Sequence, residues 1–156
     1  MTDEFSNKAE NSIAKELGIA QRFIVLNQIR TPDGTILRSL SRHHYQTYID
    51  KNGKEYMVDG GNDYLRRNRH DDAPYDELSI YSDDSFDVIR RSLHWGTYGP
   101  KGDQPKRYVP LAELSDNHIM AILDTQAQVQ GQLREWFKEE LRCREYGKYE
   151  YIKDTL

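Results

Sequence analysis

Between Phe23 and Val58 the chain is rich in β-branched and aromatic residues, and two breaks of the same kind interrupt it, TPDGT at 31–35 and DKNGK at 50–54. In Pro32-Asp33-Gly34 the proline presets φ for a type I turn, and the glycine takes the left-handed position that follows it. A three-residue loop then sets Thr31 opposite Thr35. At the second break, a two-residue loop would oppose Lys51 to Lys54 and Asp50 to Glu55, both like-charged. A three-residue loop instead sets Asp50 opposite Lys54 and Tyr48 opposite Tyr56, pairs that stabilise a sheet. The sequence therefore predicts four strands in two hairpins, a small antiparallel meander over about 23–60 with one tyrosine-rich face.

Beyond the meander the periodicity turns helical. NDYLRR, with Asn62 placed to cap, reads as a short basic helix. In SDDSFDVIRRSLHW, Phe86, Ile89 and Leu93 recur at helical spacing behind two acids, which predicts a helix over 84–93. GTYGPKGDQPKRY holds three glycines and two prolines in thirteen residues and reads as an irregular loop over 96–107, with a short extended YVPL after it. Ser115 caps the next helix. A last helix over 132–146 buries Leu133, Trp136, Phe137 and Leu141, exposes the pair Glu140 and Arg144, and stops at Gly147. The fold class expected is α+β in a single domain: an arm over 1–20 with Ser12 as cap and Gly18 as stop, a domain over 21–148 whose helical part covers about 62–146, and a tail over 149–156.

A length of 156 residues suits one hydrophobic core. Eleven tyrosines and two tryptophans supply amphipathic area that offsets a mean hydropathy of −0.91. The formal charge of −4 and pI near 5.7 argue against wholesale binding of nucleic acid or anionic membrane, while leaving room for a local basic patch. Cys143 is the only cysteine, so neither an intrachain disulfide nor a cysteine-built zinc site is available. No apolar run approaches the roughly 20 residues a spanning helix requires, and the polar N-terminus lacks the regions of a signal peptide, so a cytosolic location is expected.

The stretch that invites chemistry is VDGGNDYLRR, residues 58–67. A Gly-Gly turn ahead of a helix leaves backbone N–H groups to meet an anion, and Arg66 and Arg67 add charge. Asp59 and Asp63 bracket the glycines and would repel a phosphate, and no P-loop or dinucleotide spacing is met. The favoured alternative is a sharp corner in which Gly60 and Gly61 supply the φ values, an aspartate bonds the turn, and Tyr64 packs inward with Leu65. A divalent-metal phosphodiesterase built from His44, Asp59, Asp63 and His118 is the rival, although no metal motif appears and no metal or other cofactor is expected. A nucleic-acid surface over Arg66, Arg67, Arg69 and His70, with Arg90 and Arg91 a helix away, is disfavoured by the acids that follow the basic cluster. His94 is expected at a helix C-terminus, Trp95 as a core anchor, and His118 near a helix start.

Three stretches together, SRHHYQTYIDKNGKEYMVDGGNDYLRR, HWGTYGPKGDQPKRYVPLAELSDNHIMAILDTQ and REWFKEELRCRE, resemble a family of small uncharacterised proteins of tailed bacteriophages. The resemblance covers residues 27–145, with the VDGG-x-DYLRR string its most specific part. Some members of that family carry C-x-x-C and C-x-C pairs like a small zinc ribbon, where this chain has its two turns. The resemblance implies ribbon-like strands held without metal, an accessory role in the cytoplasm of the infected bacterium, and one unit formed by Asp59, Gly60, Gly61, Asp63, Tyr64, Arg66 and Arg67. The function expected is a non-catalytic binding module that engages a host protein or a small anionic ligand at that corner. A component of the phage particle is the third alternative.

Overall fold

The two turns form as their residues dictate. In the computed structural model, which describes residues 21–67 and 74–155, the Thr31 N–H donates to the Thr35 carbonyl at 2.9 Å and the Asp50 N–H to the Lys54 carbonyl at 2.9 Å. Gly34 and Gly53 take φ of +90° and +80°, the left-handed position each three-residue loop requires. They join β1 (Ile24–Arg30) to β2 (Ile36–Ser39) and β3 (Gln46–Ile49) to β4 (Glu55–Asp59). The registers are those that turn chemistry selects in the first hairpin and charge in the second: Ile29 lies opposite Leu37, and Tyr48 opposite Tyr56. The Asp33 carboxylate accepts the hydroxyls of Thr31 and Tyr48, which ties the first turn to β3.

The hairpins do not continue into one meander. β1 and β2 belong to one sheet and β3 and β4 to another, and each sheet recruits short strands that the sequence does not announce. β5 (Arg66–Arg67) pairs with β4, while β6 (Asp76–Glu77) and β7 (Ile80–Tyr81) both pair with β1, across an irregularity between Ile24 and Leu26. Two-residue strands carry no periodicity, so only their partners define them. The sheets meet through Ile29 and Leu37 on one side and Tyr56 and Val58 on the other, with Tyr48 packed at the margin. The tyrosine-rich face thus points inward.

The chain divides into two compact units, residues 1–84 and 85–156, so that the α+β composition is split between a β unit and a mainly helical one. In the second, α1 (Phe86–Ser92) covers most of the predicted 84–93 helix. β8 (His94–Thr97) and β9 (Arg107–Pro110) form a hairpin where an irregular loop was expected, which shortens that loop to 98–106. Ser115 caps α2 (Asp116–Thr125), its hydroxyl accepting the His118 N–H at 3.1 Å. The last helix, α3 (Gly131–Thr155), runs through Gly147. An interior glycine costs a helix about 1 kcal/mol relative to alanine and does not by itself end one.

Leu111, Ile119, Val129 and Phe137 are fully enclosed in this unit, and so is Glu140, which the helical pattern had placed on the surface. Arg90 grips Glu140 at 2.8 and 2.7 Å, and Arg144 adds a third contact at 3.0 Å. The expected i,i+4 pair exists, but inside the core and with a second arginine. The expected Ser12 cap, the Gly18 stop, and Arg69 and His70 lie outside the described residues, and the expected tail from 149 is helix as far as Thr155.

Candidate functional site

VDGGNDYLRR is a strand, a tight turn and a returning strand. Gly60 and Gly61 take φ of +101° and +53°, and the Asp63 and Tyr64 N–H groups both donate to the Gly60 carbonyl, at 2.9 and 3.2 Å. The chain reverses and sets Arg66 opposite Asp59 and Arg67 opposite Val58. The short basic helix expected after Asn62 is absent because the double-glycine turn folds the arginines back onto β4, where tertiary partners outweigh a modest helical preference.

The corner's acids and turn amides find partners within the chain, although the buried Nε of Arg67 has none. The Asp59 carboxylate, in a residue only 7% exposed, accepts the Gly60 N–H at 2.9 Å through Oδ1, while its Oδ2 receives Arg66 at 3.3 Å and the Tyr64 hydroxyl at 3.5 Å. The Gly61 N–H donates to Ser39 Oγ at 2.9 Å. That hydroxyl in turn donates to the His44 carbonyl, and His44 Nδ1 accepts the Leu40 N–H at 3.0 Å. Asp63 is bridged to Arg42 at 3.0 Å. The amides an anion cradle would need, those of Gly60, Gly61, Asp63 and Tyr64, are thus already bonded within the chain.

The two arginines act in opposite directions. Arg66 stays at the surface and neutralises Asp59. Arg67 runs inward, its side chain 11% exposed, to Asn27 Oδ1, to Glu77 at 2.9 Å and to Ser79 Oγ at 3.0 Å. Asn27 is wholly buried and also donates to the Asp59 carbonyl at 2.7 Å, so it bridges the two sheets. One arginine clamps the corner's acid, and the other locks the corner to the core.

Tyr64 and Leu65 are exposed rather than packed inward, at 42% and 37%. Tyr64 flanks the outer face of the β3–β4–β5 sheet, where Thr47, Ile49, Glu55, Met57 and Arg66 also lie because their neighbours Tyr48, Tyr56 and Val58 face the core. Ile49 is 65% exposed, and Tyr45, just ahead of β3, is 54% exposed. Neither was singled out from the sequence, although the alternation Tyr45, Thr47, Ile49 against an inward Tyr48 carries the signal.

Of the other residues singled out, His94 lies on β8 with Nδ1 2.7 Å from the Ser92 carbonyl oxygen, the C-terminal residue of α1. Trp95, expected as a core anchor, is half-buried and meets Phe137 edge to face, with centroids 5.8 Å apart. His118 occupies the first turn of α2. Among the described residues no three His, Cys, Asp or Glu side chains come together to hold a metal ion, and His44, Asp59 and Asp63 of the first unit form no such group. Among the same residues no helix is long and apolar enough to cross a membrane.

Fold and corner together define a small α+β protein whose most distinctive polar cluster is internally neutralised. No family model, curated protein or solved structure matches the chain.

Proposed function

We propose that this chain is a non-catalytic binding module, a phage accessory protein of the infected bacterial cytoplasm, and that it engages a host protein rather than a small anion. The supporting observation is the outer face of the β3–β4–β5 sheet. It presents Tyr45, Ile49 and Tyr64 to solvent at 54%, 65% and 42%, beside an Asp59–Arg66 pair that is already neutral. Exposed aromatic and aliphatic side chains around a neutralised ion pair suit a protein surface, because tyrosine adds contact area at little cost in side-chain entropy. A small anion gains little from cations and amides that the chain itself occupies.

The test compares tagged wild-type protein with Ile49→Asp and Tyr45→Ala in pull-downs from bacterial lysate, with melting followed to confirm folding. A host protein retained by wild type and lost by both folded variants supports the reading. Equal retention by all three, or melting stabilised by phosphate or nucleotides with no protein captured, overturns it.

A further inference from the structure

The β8–β9 hairpin has two unlike faces. Trp95 and Val109 pair on one, and Trp95 anchors that side against Phe137. On the other, Gly96 pairs with Tyr108, and one step toward the tip stand Tyr98 and Lys106. The Lys106 ammonium lies 5.9 Å from the Tyr98 ring centroid and 5.3 Å from that of Tyr108, so one cation sits between two aromatic rings. Gly96 makes the arrangement possible, since a Cβ there would stand 2.7 Å from Lys106 Cε. The lysine stem lies across the strand where a side chain would otherwise project.

Tyr98 is 53% exposed, and Lys101 and Lys106 are both exposed. Neither lysine has a carboxylate partner among the described residues, in contrast to Arg90, Arg91, Arg142 and Arg144 of the same unit. From Tyr98 to Tyr108 the only acid is Asp103. One cation held beside an exposed ring, with a second exposed lysine in the same hairpin and no carboxylate paired to either among the described residues, matches an anion that carries flat apolar groups at short intervals along a chain.

The geometry points to the Tyr98–Lys106–Tyr108 face of this hairpin as a contact site for single-stranded nucleic acid. An unpaired base stacks on Tyr98, and the adjoining phosphates meet Lys106 and Lys101. A duplex hides its base faces, and an acidic peptide would leave the Tyr98 ring without a stacking partner, so both fit less well. The site shares no residue with the host-protein face proposed on the other unit, and either reading can fail without the other.

Fluorescence anisotropy of the full chain with labelled oligo-dT tests it. Wild type is expected to bind at low salt with affinity that falls as salt rises. Lys106→Gln should reduce the salt slope by about 0.7, the loss of one phosphate contact on a single strand. Tyr98→Ala should weaken binding about tenfold with the slope unchanged, and Tyr98→Trp should restore it. Circular dichroism checks that each variant is folded. Absence of binding at low salt, equal affinity in wild type and Tyr98→Ala, or equally tight capture of duplex DNA or polyglutamate would each overturn the assignment.

Discussion

Gly61 answers to two constraints at once. Its φ of +53° is one that side-chain-bearing residues adopt at a cost of about 1–2 kcal/mol, and a Cβ there would stand 2.2 Å from the Ser41 carbonyl carbon. Gly34 has a φ of +90° but open space around the same position, so it answers to one constraint only. Gly61→Ala is therefore expected to destabilise the β unit by about 3 kcal/mol or more, because Ser41 backbone would have to move and the Gly61 bond to Ser39 would go with it. Gly34→Ala should cost about 1 kcal/mol. Urea denaturation followed by far-UV circular dichroism gives both values. Equal costs would mean that backbone conformation alone matters and that the approach to Ser41 does not.

At the scale of elements, α1 and α3 are joined by a buried charge. Burial by itself raises the Glu140 carboxyl, but the hydrogen bonds from Arg90 and Arg144 and their positive charge outweigh it and hold the group below its ordinary 4.5. A carboxylate whose folded value is depressed contributes stability that is complete above the unfolded value and is lost as pH falls through the folded one. Melting temperature should therefore fall as pH drops below about 4.5, and Glu140→Gln should flatten that limb while costing about 3 kcal/mol at neutral pH, since it strands two arginines. Pairing Glu140→Gln with Arg90→Met should recover part of the loss. An unchanged acid limb in Glu140→Gln would remove this carboxylate as its source.

The same elements mark how far the sequence could be read. Turn chemistry and charge pairing gave the register of both hairpins, helical spacing gave α1 and a serine cap gave the start of α2, because these depend on residues near one another in the chain. Glu140 looked like a surface residue because i,i+4 spacing cannot reveal Arg90, fifty positions away. β5, β6 and β7 failed for the same reason, as a two-residue strand exists only through its partner. At the corner the turn role of Gly60 and Gly61 was legible, while the opposite aims of Arg66 and Arg67 depended on Asn27 in a strand far upstream.

On the scale of the whole molecule, two units of this size each draw on a core of their own. Ile29, Leu37, Tyr56 and Val58 close the first, and Ile89, Leu111, Ile119 and Phe137 are enclosed in the second. Both tryptophans, Trp95 and Trp136, belong to the second, so tryptophan emission reports that unit alone. Separate cores predict separable unfolding, for which a single free energy is not a defined quantity. In a urea titration, Gly61→Ala should move the β unit's part of the circular dichroism transition and leave the tryptophan midpoint in place, whereas Glu140→Gln should shift the tryptophan midpoint together with the helical part of the circular dichroism transition. Each midpoint should move by its variant's free-energy change divided by that unit's m-value, which for chains this short is about 1 kcal/mol per molar urea. If Gly61→Ala shifts the tryptophan midpoint as well, the two cores unfold as one cooperative body, and stabilities measured at the corner and at Glu140 have to be assigned to the whole chain.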